Sequence, residues 1–350
     1  MVRRLIRRAM TGLEALSWCA QLLVPLVLVG RVALRRHESR AAWRAEIVLA
    51  ASYLMVIALA GLWLALPRWL ILIYGALLLA AAFHGLGRIT GLPGVYGGLG
   101  TRIGRGARAA VIAVLALASI FALTGRRPPS ERPVNLAFPL GEGIYLVAAG
   151  GSNALLNPHL KTRSAERFRA WRGQSFAVDL VKIGGWGSRI DRPSPDEPYG
   201  FAIFGERIHA PCSGTVVRAD DGDPDWLGEG TPPADLEGNH VILSCDAAWI
   251  LVAHMKRGTV TVSEGDLIAV GDVLGRVGNS GRSDEPHLHI HAQTPGTADA
   301  PLGGTPIPIT FAGRHLVRND RVRGTPIDQS RSLGNPIATI AQSHPKEGSQ

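Results

Sequence analysis

Three histidines, His287, His289 and His291, recur at every second position of the run 278–293, GNSGRSDEPHLHIHAQ. Strand side chains alternate between faces, so a strand here would point all three imidazoles to one side and turn Leu288 and Ile290 the other way, into a core. Ahead of them, Gly278, Ser280, Gly281 and Asp284-Glu285-Pro286 make a turn-rich loop that continues neither a helix nor a ladder. Neutral imidazole is both a common metal ligand and a proton shuttle near neutral pH. Metal binding and proton transfer can therefore sit two residues apart on one strand. The bland alternative is an exposed edge strand rich in His, but histidine is scarce in such strands and three on one face require a reason.

A catalytic zinc takes three protein ligands and keeps one position for water, so the His strand needs partners. His159, Asp179, His209, His240 and His254 are the candidates within the C-terminal part. Asp179 closes the alternating run QSFAVD, where a carboxylate is also an ordinary turn residue. His254 lies in WILVAHM on the face of Ile250 and Val252, where a satisfied core histidine is the competing reading. His209 and His240 stand beside turns and read as surface residues.

The elements around these residues are short, β-rich runs broken by Gly, Pro and Asp. They cover 214–219, 240–244, 249–255, 259–262, 272–277 and the His strand. Helical periodicity is weak there, apart from 164–171. Closely spaced short strands with turn signals predict an antiparallel β sandwich or barrel.

The first third has a different texture. Of the 37 Lys+Arg and 28 Asp+Glu in 350 residues, positions 1–132 hold 17 and 4, so the net charge is +13 there and −4 in the remainder. The basic residues flank long apolar runs, which is a membrane pattern and argues against nucleic acid as the partner. The predicted spans are 47–66, 69–83 and 109–124, the first two forming a hairpin turned at Pro67-Arg68; about 20 apolar residues cross the hydrocarbon core. The run 15–30 carries Pro25 and follows Arg3, Arg4, Arg7 and Arg8, and its status as a span stays open, with a re-entrant or interfacial segment favoured. It has no small-x-small cleavage site, so it is not expected to be removed as a signal peptide. Arginines crowd the connectors 31–44 and 85–108, whereas the hairpin tip has Arg68 alone. The positive-inside bias then puts the connectors on the cytoplasmic side of a cytoplasmic membrane, with the lipid bilayer as partner, and the C-terminal part outside if the run 15–30 does not cross or crosses against its own charges; four full spans starting from the cytoplasm would instead return the C-terminal part to the cytoplasm. The expected organisation is a membrane region at 1–125, a linker at 126–135, a β domain at 136–328 and a flexible tail at 329–350. Cys19 lies in an apolar run, and Cys212 and Cys245 are equally compatible with a disulfide or with two free thiols.

Six segments in order carry a resemblance: AVD ending at Asp179, IHAPCSGTVVRADDG at 208–222, GNHVIL at 238–243, LVAHM at 251–255, VSEGDLIAVGDVLGRVGNSGRS at 262–283 and PHLHIH at 286–291. Together they resemble the M23 metallopeptidases, the lysostaphin- and LytM-like endopeptidases that cut peptide cross-links of bacterial peptidoglycan. The resemblance spans roughly 140–325 and implies a mainly antiparallel β domain with a groove across one sheet, Zn2+ as cofactor and peptidoglycan peptide stems as substrate. It makes Asp179 and His289 zinc ligands, and His254 and His287 the unligated pair that handles the water and the oxyanion. The family's usual third ligand, a His four residues before the Asp, is replaced by Ser175. Some branches carry an Asn-x-His upstream of a Gln-aromatic-Ala-x-Asp run, and Asn157-Pro158-His159 followed by 174–179 makes His159 the third metal ligand here. His291 stands where the family more often has an acid.

The leading expectation is therefore a membrane-anchored zinc endopeptidase. The alternative is a metal-free M23-like domain that binds or activates other cell-wall hydrolases, favoured by Ser175 and disfavoured by the retention of Asp179, His254, His287 and His289. A biotinyl- or lipoyl-type carrier, suggested by GDLIAVGDVLG, lacks a lysine in a tight hairpin and would not need the histidines.

Overall fold

The computed structural model describes residues 16–95, 99–185, 187–191, 200–226, 233 and 235–326. The basic segment before residue 16 and the tail expected at 329–350 lie outside the described residues. An N-terminal set of apolar helices is followed by a mostly antiparallel β region.

Among the described residues, four helices form the first part: α1 (Leu16–Leu34), α2 (Arg40–Ala60), α3 (Leu70–Leu86) and α4 (Leu99–Thr124). Among the described residues α1, α2 and the 102–124 stretch of α4 are long and apolar enough to cross a membrane; α3 is a shorter apolar helix of 17 residues. The Ser39 hydroxyl caps α2 by accepting from the Ala42 amide, so this helix starts seven residues before the expected span. It stops at Gly61, where the Trp63 indole folds back to donate to the Ile57 carbonyl at 2.7 Å. The α2–α3 connector is consequently 61–69, longer than the Pro67-Arg68 turn expected.

The run 15–30 differs from expectation as well. Instead of a re-entrant segment it is a continuous helix through Pro25, because a π-helical stretch at Cys19–Leu23 precedes Pro25 and the proline falls in the first turn of the α-helical part, where its missing N–H is tolerated. It packs antiparallel to α2. Tyr53 donates to Ala20 O (2.7 Å) near one end, and Arg31 pairs with Glu46 (2.6 Å) near the other. Glu46, its side chain 1% exposed, is also within 3.4 Å of Arg35 and of Arg108, which fastens α1, α2 and α4 at the end bearing the basic connectors. The other end, with connector 61–69 and the C-terminus of α4, meets the β domain.

Thirteen strands follow among the described residues: β1 (Val134–Leu136), β2 (Gly143–Ala149), β3 (Val178–Lys182), β4 (Arg207–His209), β5 (Gly214–Asp220), β6 (His240–Cys245), β7 (Ala248–Ala253), β8 (Leu267–Ile268), β9 (Val273–Arg276), β10 (Leu288–Gln293), β11 (Pro306–Ile307), β12 (Ile309–Phe311) and β13 (Arg321–Gly324). Nine of them make one antiparallel sheet ordered β13-β2-β3-β10-β7-β6-β5-β8, with β11 also on β10. Two small pairs, β1-β12 and β4-β9, lie beside it. One face of the sheet buries Val178, Leu180, Ile250, Val252, Leu288 and Ile290 in the main core. Each such side chain contributes roughly 1.5–3 kcal/mol. A one-residue slip of β10 would exchange these apolar groups for imidazoles, so the core pins the register that the histidines need.

Two local expectations are corrected and one open alternative is decided. Residues 166–176 are 3-10 helical, longer than the weak helical signal at 164–171, so QSFAVD is not one alternating strand and Asp179 lies at the start of β3 rather than at a strand end. Segment 259–262 is not a strand; the Asp221 carboxylate accepts from the amides of Gly258 and Val260 and holds it as an extended connector. Cys212 and Cys245 form a disulfide, with Cα atoms 6.2 Å apart, joining the turn before β5 to the end of β6.

Candidate metal centre

Strand β10 lies between β3 and β7, and the register sets His289 opposite Asp179 on one side and opposite Ala253 on the other. Directly opposed residues share a face, so Asp179 and His289 meet across the strand pair. Asp179 Oδ1 is 2.9 Å from His289 Nδ1, and Oδ2 is 2.8 Å from His159 Nε2. His159 arrives on a 3-10 turn, Pro158–Thr162, whose cap is Asn157. The Asn157 side chain accepts from the His159 amide (3.1 Å) and donates to the carbonyls of Gly151 (3.3 Å) and Ala177 (3.1 Å). One asparagine thus ties the His159 turn to the strand entry two residues before Asp179.

His254 reaches the same place by a backbone departure. Alternation along β7 would send it with Ile250 and Val252 into the core, but its φ is +59°, a left-handed conformation that a non-glycine residue seldom adopts. The twist reverses the face. Its ring lies 5.7 Å from that of His289 and 4.7 Å from that of His287. His254 Nδ1 donates to Ser280 O at 2.9 Å, and His287 Nδ1 donates to Glu285 O at 2.8 Å. The Ser280 carbonyl thereby keeps the His254 proton on Nδ1 and turns its Nε2 toward the other imidazoles; His287 Nε2 is 3.8 Å from Asp179 Oδ1. The loop supplying the Ser280 carbonyl is fixed by Gly238 and Gly281, since a Cβ on Gly238 would come within 2.3 Å of the Gly281 amide nitrogen.

Two sets of donors could therefore hold a metal, His159-Asp179-His289 and His254-His287-His289, each with its ligand atoms within 4.8 Å of one another. Burial alone pushes the Asp179 carboxyl up, but the charges of His159 and His287 and hydrogen bonds from His159 and His289 overcome it and hold it well below the usual carboxylate range. Burial holds His254 well below the usual imidazole value, and nearby His287 and His289 add to the effect. His289 is lowered by burial too.

The five residues singled out from the sequence, His159, Asp179, His254, His287 and His289, are thus brought together. His291 is 1% exposed, and its Nδ1 is 3.1 Å from His289 Nε2, which turns His289 Nδ1 toward Asp179. His209 and His240 are corrected: both are buried, with Nδ1 donating at 2.8 Å to Gly271 O and Gly238 O respectively. Ser175 is fully buried and occupied by Thr162 Oγ1 (2.9 Å) and the Arg172 carbonyl (2.6 Å). Sequence reasoning missed Arg189, 5% exposed, which pairs with Glu285 at 2.6 Å and so steadies the residue whose carbonyl orients His287. It also missed Arg318, which donates to the carbonyls of Ala148 and Leu155 behind the site. Neither arginine sits in a motif; only the three-dimensional contacts reveal them.

Residues 200–301 match the family model described as Peptidase family M23. No curated protein sequence matches the chain. Among solved structures, the chain is similar to a zinc-containing peptidase from Vibrio cholerae at 16% identity, over 46% of this chain and 37% of that one, with a TM-score of 0.27. It is similar to the catalytic domain of the antimicrobial peptidase lysostaphin from Staphylococcus simulans at 20% identity, over 36% and 71%, with a TM-score of 0.23. It is also similar to a chain of the SpoIIQ–SpoIIIAH pore-forming complex at 18% identity, over 50% and 95%, with a TM-score of 0.28. The stretch 200–301, which supplies His254, His287 and His289, is a peptidase family M23 domain.

Proposed function

We propose that this chain is a membrane-anchored zinc metalloendopeptidase that hydrolyses peptide cross-links of bacterial peptidoglycan, its catalytic domain outside the cytoplasmic membrane. The observation that carries the reading is the convergence of His159 Nε2, both Asp179 oxygens and His289 Nδ1 beside two imidazoles, His254 and His287, whose Nδ1 atoms are held by backbone carbonyls. Two nitrogens and a carboxylate are a donor set suited to zinc, so His159, Asp179 and His289 are assigned as its ligands. Bound there, zinc supplies a Lewis acid and lowers the pKa of a coordinated water toward neutrality.

The remaining chemistry belongs to the protein. His254 is held neutral, and its Nε2 accepts a proton from the attacking water. The imidazolium so formed stabilises the tetrahedral oxyanion and returns the proton to the leaving amine. His287 Nε2 faces the same space and shares these tasks. His291 and the Ser280 and Glu285 carbonyls fix the ring orientations.

Three apolar helices support membrane anchoring. The disulfide supports an oxidising compartment for the β domain, in agreement with basic connectors at the far end of the helices. Ser175, in place of the family's usual ligand, favours the competing reading of a metal-free activator module. His159 beside Asp179 supplies the missing donor and favours the enzyme. Purified full-length chain incubated with cross-linked peptidoglycan should split the cross-links, lose that activity to a chelator and regain it with zinc. A zinc-replete chain that leaves cross-links intact and stimulates another hydrolase would replace this reading with the activator.

A further inference from the structure

The loop that delivers His159 is built on the membrane helices. Residues 150–157 turn against the C-terminal end of α4: Ser152 N donates to Gly125 O at 2.9 Å, and the Asn153 amide donates to the Phe121 carbonyl and to Thr124 Oγ1 at 3.3 Å. Leu156, fully buried, packs with Ala122 of α4 and Val317, while Leu59 and Ala60 of α2 border the same cluster. Arg318 fastens the junction, because one guanidinium nitrogen donates both to Leu155 O (2.9 Å) and to Ala60 O at the end of α2 (3.3 Å). Asn157, next in the chain, holds the His159 turn. The space is filled: a Cβ on Gly125 would lie 2.4 Å from the Asn153 side chain.

From this we propose that the membrane region is a structural part of the metal centre, with Gly125, Asn153 and Leu156 acting as positioning residues that hold His159 on the metal. The proposal rests on the zinc reading above. Asp179 and His289 are set by strand register and need no outside support. His159 is different: its turn is secured to the sheet through Asn157, and the loop before it rests on α2 and α4. The unusual ligand is therefore the one whose geometry depends on membrane seating, which would confine hydrolysis to chains whose helices are in place. Supporting groups of this kind commonly change metal affinity 10- to 100-fold when removed.

The test uses the full chain in detergent micelles, loaded with zinc, and follows release to a chromogenic chelator; a cobalt-loaded sample reports coordination geometry by its visible absorption. G125A changes only the membrane side of the contact, and N153D keeps the Asn153 oxygen that accepts from the Leu156 amide while replacing donation to a helix C-terminus by repulsion. Both variants are expected to release zinc about tenfold faster and to alter the cobalt spectrum, with the thermal transition of the β domain unchanged. Parent-like release and spectra in whichever variant folds would overturn the proposal and leave the zinc reading standing. A parent chain that takes up no zinc would overturn both.

Discussion

Glu237 offers a test of the electrostatics beneath the site. Its side chain is 7% exposed, and burial, with Asp235 beside it, pushes the carboxyl up to about 8. The same residue's backbone carbonyl accepts from the His254 amide at 3.0 Å, so it lies directly under the left-handed turn that aims His254. Because the folded value is above the unfolded one, near 4.5, the folded chain holds the extra proton between those limits. Stability at this residue is therefore complete at low pH and declines as pH rises toward about 8, by roughly 1.4 kcal/mol per pH unit. Glu237→Gln keeps a donor for Asp235 and cannot ionise. Relative to the parent it should gain about 3 kcal/mol between pH 5 and pH 7.5, or about 6–12 °C in the transition temperature of a domain this size. Comparing the two pH values cancels any fixed cost of the substitution. Thermal denaturation followed by near-ultraviolet circular dichroism measures the difference. A parent-to-variant gap that stays constant with pH would refute the reasoning.

The histidines should show the opposite sign. Burial lowers His254, His289 and His291, so below about pH 6.5 the unfolded chain binds protons that the folded chain refuses, and stability should fall with acidification by up to ~1.4 kcal/mol per group per pH unit; a flat transition temperature between pH 6.5 and 5 would contradict this. Replacing His254 or His287 with Ala should cut hydrolysis by about 10²- to 10⁴-fold while zinc measured by elemental analysis stays bound; loss of zinc would instead point to the all-histidine donor set. Reducing Cys212–Cys245, which closes a loop of 33 residues, should cost about 3–4 kcal/mol, read as a lower transition temperature in reductant, and a C212S/C245S chain as stable as the parent would exclude that contribution.

Much of the β10 side of the site was legible in sequence because a period-2 pattern has one geometric solution. With Leu288 and Ile290 committed to the core, His287, His289 and His291 must share the other face. His254 was legible only through family resemblance, since alternation alone sends it into the core and the left-handed φ that rescues it leaves no compositional mark. His209 and His240 were misjudged because proximity to a turn says nothing about which carbonyl an imidazole can reach once buried. Ser175 exposed the gap in the ligand set, while filling it with His159 depended on a loop whose path is decided by α4 and Arg318, far away in the chain. The same non-locality hid the course of α1: Pro25 reads as a breaker until the π-helical stretch before it is seen.

The central claim is that His159, Asp179 and His289 hold one zinc ion. Elemental analysis of the purified full-length chain beside His159→Ala tests it most directly. The parent should carry one equivalent of zinc and the variant little. Stoichiometric zinc retained by the variant, or a folded parent that takes up none when zinc is supplied, would contradict it.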